Sequence, residues 1–83
     1  MMYQVKVEVS LKQGHSDPEG ETIAKSLQEL KYAVEEVKVG KVYRFTLSAG
    51  SLKEARKQVD EICRRLLANP VKDDYNFVME EVK

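Results

Sequence analysis

The chain is short of the residues from which most active sites are built. It has one cysteine (Cys63) and one histidine (His15) among 83 residues, which excludes an intrachain disulfide and an ordinary structural zinc site. Tryptophan is absent, and only 2 prolines and 4 glycines punctuate the chain. Gly14, Gly20, Gly40 and Gly50 match neither phosphate-loop nor dinucleotide-loop spacing. There is no excess of charge: 14 Lys and Arg balance 14 Asp and Glu, so the basic footprint of a nucleic-acid binder is missing. No apolar run exceeds three residues, so no segment spans a bilayer as a helix. The first ten residues lack the apolar stretch of a signal peptide. A reducing cytoplasm is the expected compartment. At 9.5 kDa, one domain over residues 1–83 is expected. A core of that size supplies only about 3–5 kcal/mol, and association with another protein is the natural way to add to it.

What is present is strong local patterning. Tyr3, Val5, Val7, Val9 and Leu11 alternate with polar residues, the signature of a strand with one buried face. Asp17-Pro18 reads as a helix N-cap followed by proline at the first helical position. Ile23, Ala24, Leu27 and Leu30 then hold helical spacing to about Lys31. Val34 to Val39 is strand-like, Gly40-Lys41 suits a tight connection, and Tyr43, Phe45 and Leu47 resume the alternation, so the three together predict a hairpin. Ser51 with Glu54 forms a capping box. Behind it Leu52, Ala55, Val59, Ile62, Cys63, Leu66 and Leu67 make one apolar stripe. Asp60 with Arg64 and Glu61 with Arg65 are acid-before-base pairs four residues apart. Asn69-Pro70 is expected to end that helix through a left-handed asparagine, and a last strand runs from about Tyr75 to Val82. The order predicts an α+β fold: a ferredoxin-like βαββαβ plait, a four-stranded antiparallel sheet with two helices on one face.

This superfold hosts many activities, and the side chains support few of them. His15, Ser16 and Asp17 are consecutive, which rarely places a serine and a carboxylate on opposite nitrogens of one imidazole; Asp17 is better explained as a cap. Glu35-Glu36, Asp73-Asp74 and Glu80-Glu81 are adjacent pairs, which on a strand point to opposite faces. Cys63 lies on the apolar stripe as a small buried hydrophobe. The open sheet face offers Val42, Arg44, Thr46 and Ser48, with no aromatic platform for stacking RNA bases. Leu11 to Asp17 holds no arginine for an acylphosphatase loop. No catalytic, cofactor-binding or metal-ligating set emerges. What remains is an interaction surface, and free sheet edges invite pairing with a second copy.

The run Leu66-Leu67-Ala68-Asn69-Pro70-Val71-Lys72-Asp73-Asp74-Tyr75, preceded by Cys63, resembles the C-terminal signature of the PurS family. Lys12-Gln13-Gly14 before Asp17-Pro18-Glu19-Gly20 looks like its first loop, and Val37 to Lys41 is similar to the segment before its third strand. These stretches follow the family order over essentially the whole chain. Departures are His15-Ser16, where the family often carries apolar residues, Lys31-Tyr32 in place of a common Gly-Tyr pair, and Lys72 in place of isoleucine.

The resemblance implies the small subunit of phosphoribosylformylglycinamidine (FGAM) synthase in purine biosynthesis. It also implies two partners, a glutaminase subunit that releases ammonia and a large synthetase subunit that uses ATP and magnesium. The small subunit would carry no catalytic residue, form a dimer or possibly a tetramer, and dock glutaminase to synthetase so that ammonia passes without loss. Asp17, Gly20, Gly40, Lys41, Asn69, Pro70, Asp74 and Tyr75 are the candidate partner contacts. The alternative is a small-molecule-sensing regulatory plait of the amino-acid-binding kind.

Overall fold

In a computed structural model describing residues 1–82, the chain runs β1 (Met2–Leu11), α1 (Pro18–Glu29), β2 (Lys41–Ser48), α2 (Leu52–Ile62) and β3 (Asp73–Val82). Among the described residues the sheet has three strands in the order β2-β1-β3. Both pairings are antiparallel, with Val5 opposite Phe45 on one side and Met79 on the other. The alternation read from the sequence is the one that folds. Tyr3, Val5, Val7 and Val9 are buried against Ala55, Val59, Cys63 and Ala68 from α2 and the turn that follows it. Tyr43, Phe45 and Leu47 on β2, with Tyr75, Phe77 and Met79 on β3, flank that cluster half-buried. Full burial of each valine is worth roughly 1.5–3 kcal/mol, so this single layer of contacts is most of the core.

The ends of α2 show how local chemistry sets its limits. The Glu54 N–H donates to Ser51 Oγ at 3.2 Å, while the Glu54 carboxylate accepts from the Gly50 N–H rather than that of Ser51. At the far end the helix widens into a π turn, Cys63–Leu67, closed by the Ala68 N–H donating to the Cys63 carbonyl. Ala68 then turns to extended backbone. Asn69 therefore does not take the left-handed cap expected of it. Its side chain accepts from the Val71 N–H instead, and the strand beyond begins at Asp73, two residues earlier than expected. The left-handed position belongs to Lys31, at φ 74°, just past α1.

One expected element is absent from the sheet. Val34 to Val39 takes no regular secondary structure and pairs with no strand, so the fold is α+β with a three-stranded sheet among the described residues rather than a four-stranded plait. Two-residue hairpin turns need positive φ, and Gly14 is the only glycine with one among the described residues. Gly40 instead runs straight into β2, close enough to β1 that a Cβ would stand 2.7 Å from the Val9 carbonyl oxygen.

Residues 34–39 lie along α1. A Cβ on Gly20 would collide with the Val37 carbonyl oxygen at 2.1 Å, and Gln28 Nε2 donates to the Val34 carbonyl at 2.8 Å. Helix and segment together form an arm beyond the sheet. The molecule extends 52 Å along its longest axis with a radius of gyration of 16.5 Å, against about 12 Å for a compact chain of this length.

Lys31→Gly should raise stability by about 0.5–1 kcal/mol, because only glycine occupies that φ without steric cost. A shift of the urea midpoint at unchanged slope measures it. Val59→Ala, at a fully buried site, should cost roughly 2 kcal/mol by the same measurement.

Candidate partner interface

Most of the singled-out residues gather at one end of the sheet, where β1 finishes, α1 begins and β2 starts. The Asp17 carboxylate is the hub. Its Oδ1 accepts from the Gly20 N–H at 2.8 Å, capping α1, and its Oδ2 accepts from the Val39 N–H at 2.8 Å. These two backbone donors hold its pKa below the usual carboxylate value, against the opposing effect of burial. Both oxygens are thereby committed to backbone, and His15 beside it is exposed. His15, Ser16 and Asp17 form no relay.

A notch of about 290 Å³ opens next to this hub, lined by Asp17, Glu19, Gly40, Lys41, Lys72 and Asp73 among others. Its second wall is the connection between α2 and β3, which is stiffened by its own polar groups. The Asn69 N–H donates to Asp73 Oδ2, and the Lys72 and Asp73 N–H groups donate to the Asn69 carbonyl. Lys12 Nζ donates to the Pro70 carbonyl at 3.2 Å, tying the connection to the end of β1. The outcome is a rigid knuckle that presents Leu66 and Val71 to solvent, 80% and 76% exposed.

The candidates thus separate by geometry. Gly40 and Lys41 are exposed on the notch, and Asn69 and Pro70 are exposed on the knuckle. Asp17 and Gly20 are buried and serve the arm. Asp74 and Tyr75 point to opposite faces of β3. Asp74 is exposed across from Ser10, whereas Tyr75 turns to the helix and donates its hydroxyl to Asp60. That bond lowers the Asp60 pKa, with Arg64 contributing at 2.8 Å, and raises that of Tyr75. The Asp60–Arg64 pair expected from the sequence is formed; Glu61–Arg65 is not among the ion pairs of the described residues. Burial, with help from the Asp60 charge, pushes the Cys63 thiol up, away from nucleophilic character.

Lys12 and Leu66 are not among the contacts expected from the sequence; Leu66 belongs to the apolar stripe read for the second helix, yet it is exposed in the structure. Among the described residues no group of three or more His, Cys, Asp and Glu is assembled for a metal ion. No helix among them is long and apolar enough to cross a membrane.

The model of a known family, PurS, phosphoribosylformylglycinamidine (FGAM) synthase, matches residues 4–81. The chain belongs to the PurS family. It is 37% identical over 83 residues to the PurS subunit of Methanothermobacter thermautotrophicus, covering 100% of this chain and 99% of that one. The crystal structure of Bacillus subtilis PurS superposes with a TM-score of 0.85 at 39% identity, covering 95% and 99% of the two chains. A chain of the PurLQS structure from Thermotoga maritima superposes at 0.87 with 28% identity, covering 96% and 99%. The family match does not favour the regulatory, metabolite-sensing alternative.

Asp17 makes a signed pH prediction. Its folded pKa lies below the unfolded value of about 3.9, so its contribution is present above that value and lost as pH falls through the folded one. Asp60 acts in the same direction. The thermal midpoint should therefore drop below about pH 4, and Asp17→Asn should both lower the neutral-pH midpoint and flatten the acid limb. Calorimetry from neutral to acid pH checks it.

Proposed function

We propose that this chain is the noncatalytic assembly subunit of FGAM synthase, a single domain that docks glutaminase to synthetase and shortens the path of ammonia between them. The observation that carries the reading is the pairing of a full-length family match with a surface rich in docking features and poor in reactive ones. Titratable groups inside the fold are consumed by structure: Asp17 caps, Asp60 braces Tyr75, and Cys63 fills the core. A Thermotoga maritima relative is classed under EC 6.3.5.3, a ligase, and a PurLQS structure from that organism contains a matching chain.

On this reading the chain binds no cofactor, and ATP and magnesium are used by the large synthetase subunit. The chain works in the cytoplasm, bound to glutaminase and synthetase subunits and to a second copy of itself. The exposed members of the candidate set, Gly40, Lys41, Asn69, Pro70 and Asp74, are the residues free to meet these partners. Apolar side chains held out by a rigid turn lose little entropy on docking, so the knuckle at Leu66 and Val71 belongs with them.

Three-component reconstitution tests the proposal. Glutamine-dependent amidation should require this chain, whereas amidation driven by added ammonium salt should persist without it. Equal glutamine-dependent rates with and without the chain reject the reading. Val71→Asp should reduce the glutamine-dependent rate at limiting chain concentration by about tenfold or more, the equivalent of ~1.4 kcal/mol, while leaving the thermal midpoint of the isolated chain unchanged.

A further inference from the structure

β1 runs further than the strand beside it. Odd-numbered residues along β1 exchange backbone hydrogen bonds with β2, as the Ala49 N–H donating to the Met1 carbonyl shows at one end. Even-numbered residues exchange with β3, as the Lys12 N–H donating to the Lys72 carbonyl shows at the other. In that alternation Leu11 belongs to the β2 side. The register that sets Val9 opposite Lys41 would set Leu11 opposite Val39. Val39 does not take the position, because its N–H donates to Asp17 Oδ2 and β2 starts only at Lys41. Among the described residues neither the Leu11 N–H nor its carbonyl has a hydrogen-bond partner.

This unpaired position opens into the notch beside Asp17, where Leu11, Val39 and Gly40 form part of the wall. The volume of about 290 Å³ lies at the lower end of the range for small-molecule sites, which begins near 300 Å³. A backbone donor and acceptor side by side call for a group that carries both. A primary carboxamide does so: its oxygen accepts and its nitrogen donates. Half-buried Leu67 lines the notch as well and offers apolar surface beside these polar groups.

The rest of the wall holds charges of both signs. Lys41 and Lys72 line it and stand in no ion pair among the described residues. Glu19 is likewise unpaired there, and Asp73 uses only Oδ2, which accepts from the Asn69 N–H. Asp17 offers no free oxygen, since both accept from backbone N–H groups. A simple anion would meet the carboxylates and a simple amine would meet the lysines. A zwitterion finds a partner for each of its charges.

We infer that the notch is a binding site for a free α-amino acid with a side-chain carboxamide. The carboxamide pairs with the Leu11 N–H and carbonyl, the α-carboxylate lies with Lys41 and Lys72, and the α-ammonium lies with Glu19 and Asp73. The methylenes between them cover Leu67. An extended segment of a partner chain would also pair with Leu11, but it leaves the two signs of charge without partners. Glutamine is the amino acid of this class that the proposed complex consumes. The choice of glutamine therefore rests on the docking reading, whereas the site rests on the notch alone.

Titration of the isolated, isotope-labelled chain with L-glutamine, read by amide NMR, tests the site. The Leu11 amide signal should shift saturably at about millimolar ligand, together with those of Gly40 and Lys41. L-Glutamate sets two acceptors against the Leu11 carbonyl and should bind at least about tenfold more weakly. Glu19→Gln and Lys72→Gln, both at exposed positions, should each weaken glutamine by about threefold and leave the thermal midpoint in place. Absence of a saturable Leu11 shift up to about 10 mM, or equal affinity for glutamate and glutamine, overturns the site. L-Asparagine binding more tightly than L-glutamine supports the class and overturns the choice of glutamine. The readout needs no partner subunit, so a chain that binds glutamine yet adds nothing to amidation overturns the docking reading and leaves the site standing.

Discussion

The Asp17 carboxylate makes the contact on which the shape of the whole chain turns. One oxygen closes the first turn of α1 and the other takes the Val39 N–H. A carboxylate accepting two backbone donors is a strong, directional clasp, and it fastens the 34–39 segment to the helix before it. Once Val39 is held there, Gly40 has to lead directly into β2. The hairpin that the valine-rich pattern suggests stays open, α1 stays off the sheet, and the molecule becomes a body with an arm.

The body is organised by β1. As the central strand it shares a ladder with both neighbours, and its odd-numbered side chains supply the buried row that α2 covers. Every other element of the body is placed by that row: β2 and β3 by register, α2 by the fit of Ala55, Val59 and Cys63. The far end of α2 carries the second local device. A π turn followed by the Asn69–Asp73 network aims the chain into β3 and leaves Leu66 and Val71 outside. Polar groups of the chain hold three features in place: the arm through Asp17, the notch beside it, and the knuckle through Asn69 and Asp73.

Much of this was legible in the residues. The alternation from Tyr3 to Leu11, the Asp17-Pro18 and Ser51–Glu54 caps and the α2 stripe all act through near neighbours, so pattern alone placed those elements to within a residue or two. The Cys63-to-Tyr75 run carried the family. The readings that failed depended on contacts between distant parts of the chain. Val34 to Val39 has strand-forming residues, yet whether it pairs depends on Asp17, 22 residues away in sequence from Val39. Asn69 looked like a left-handed cap because the π turn that moves the helix end to Ala68 has no sequence signature. The bond from Tyr75 to Asp60 crosses from strand to helix, so no local pattern announced it.

By itself, then, the sequence determined five of the elements in their order, the buried face of those strands and the family, since all of these follow from spacing, capping chemistry and residue identity along the chain. Tertiary structure decided that the Asp17 carboxylate would take the Val39 N–H in addition to its cap, and with it the number of strands in the sheet. It also decided that Asp17 and Gly20 serve the arm while Lys41 and Pro70 face outward. Exposure is a property of the packed chain, and no residue carries it alone.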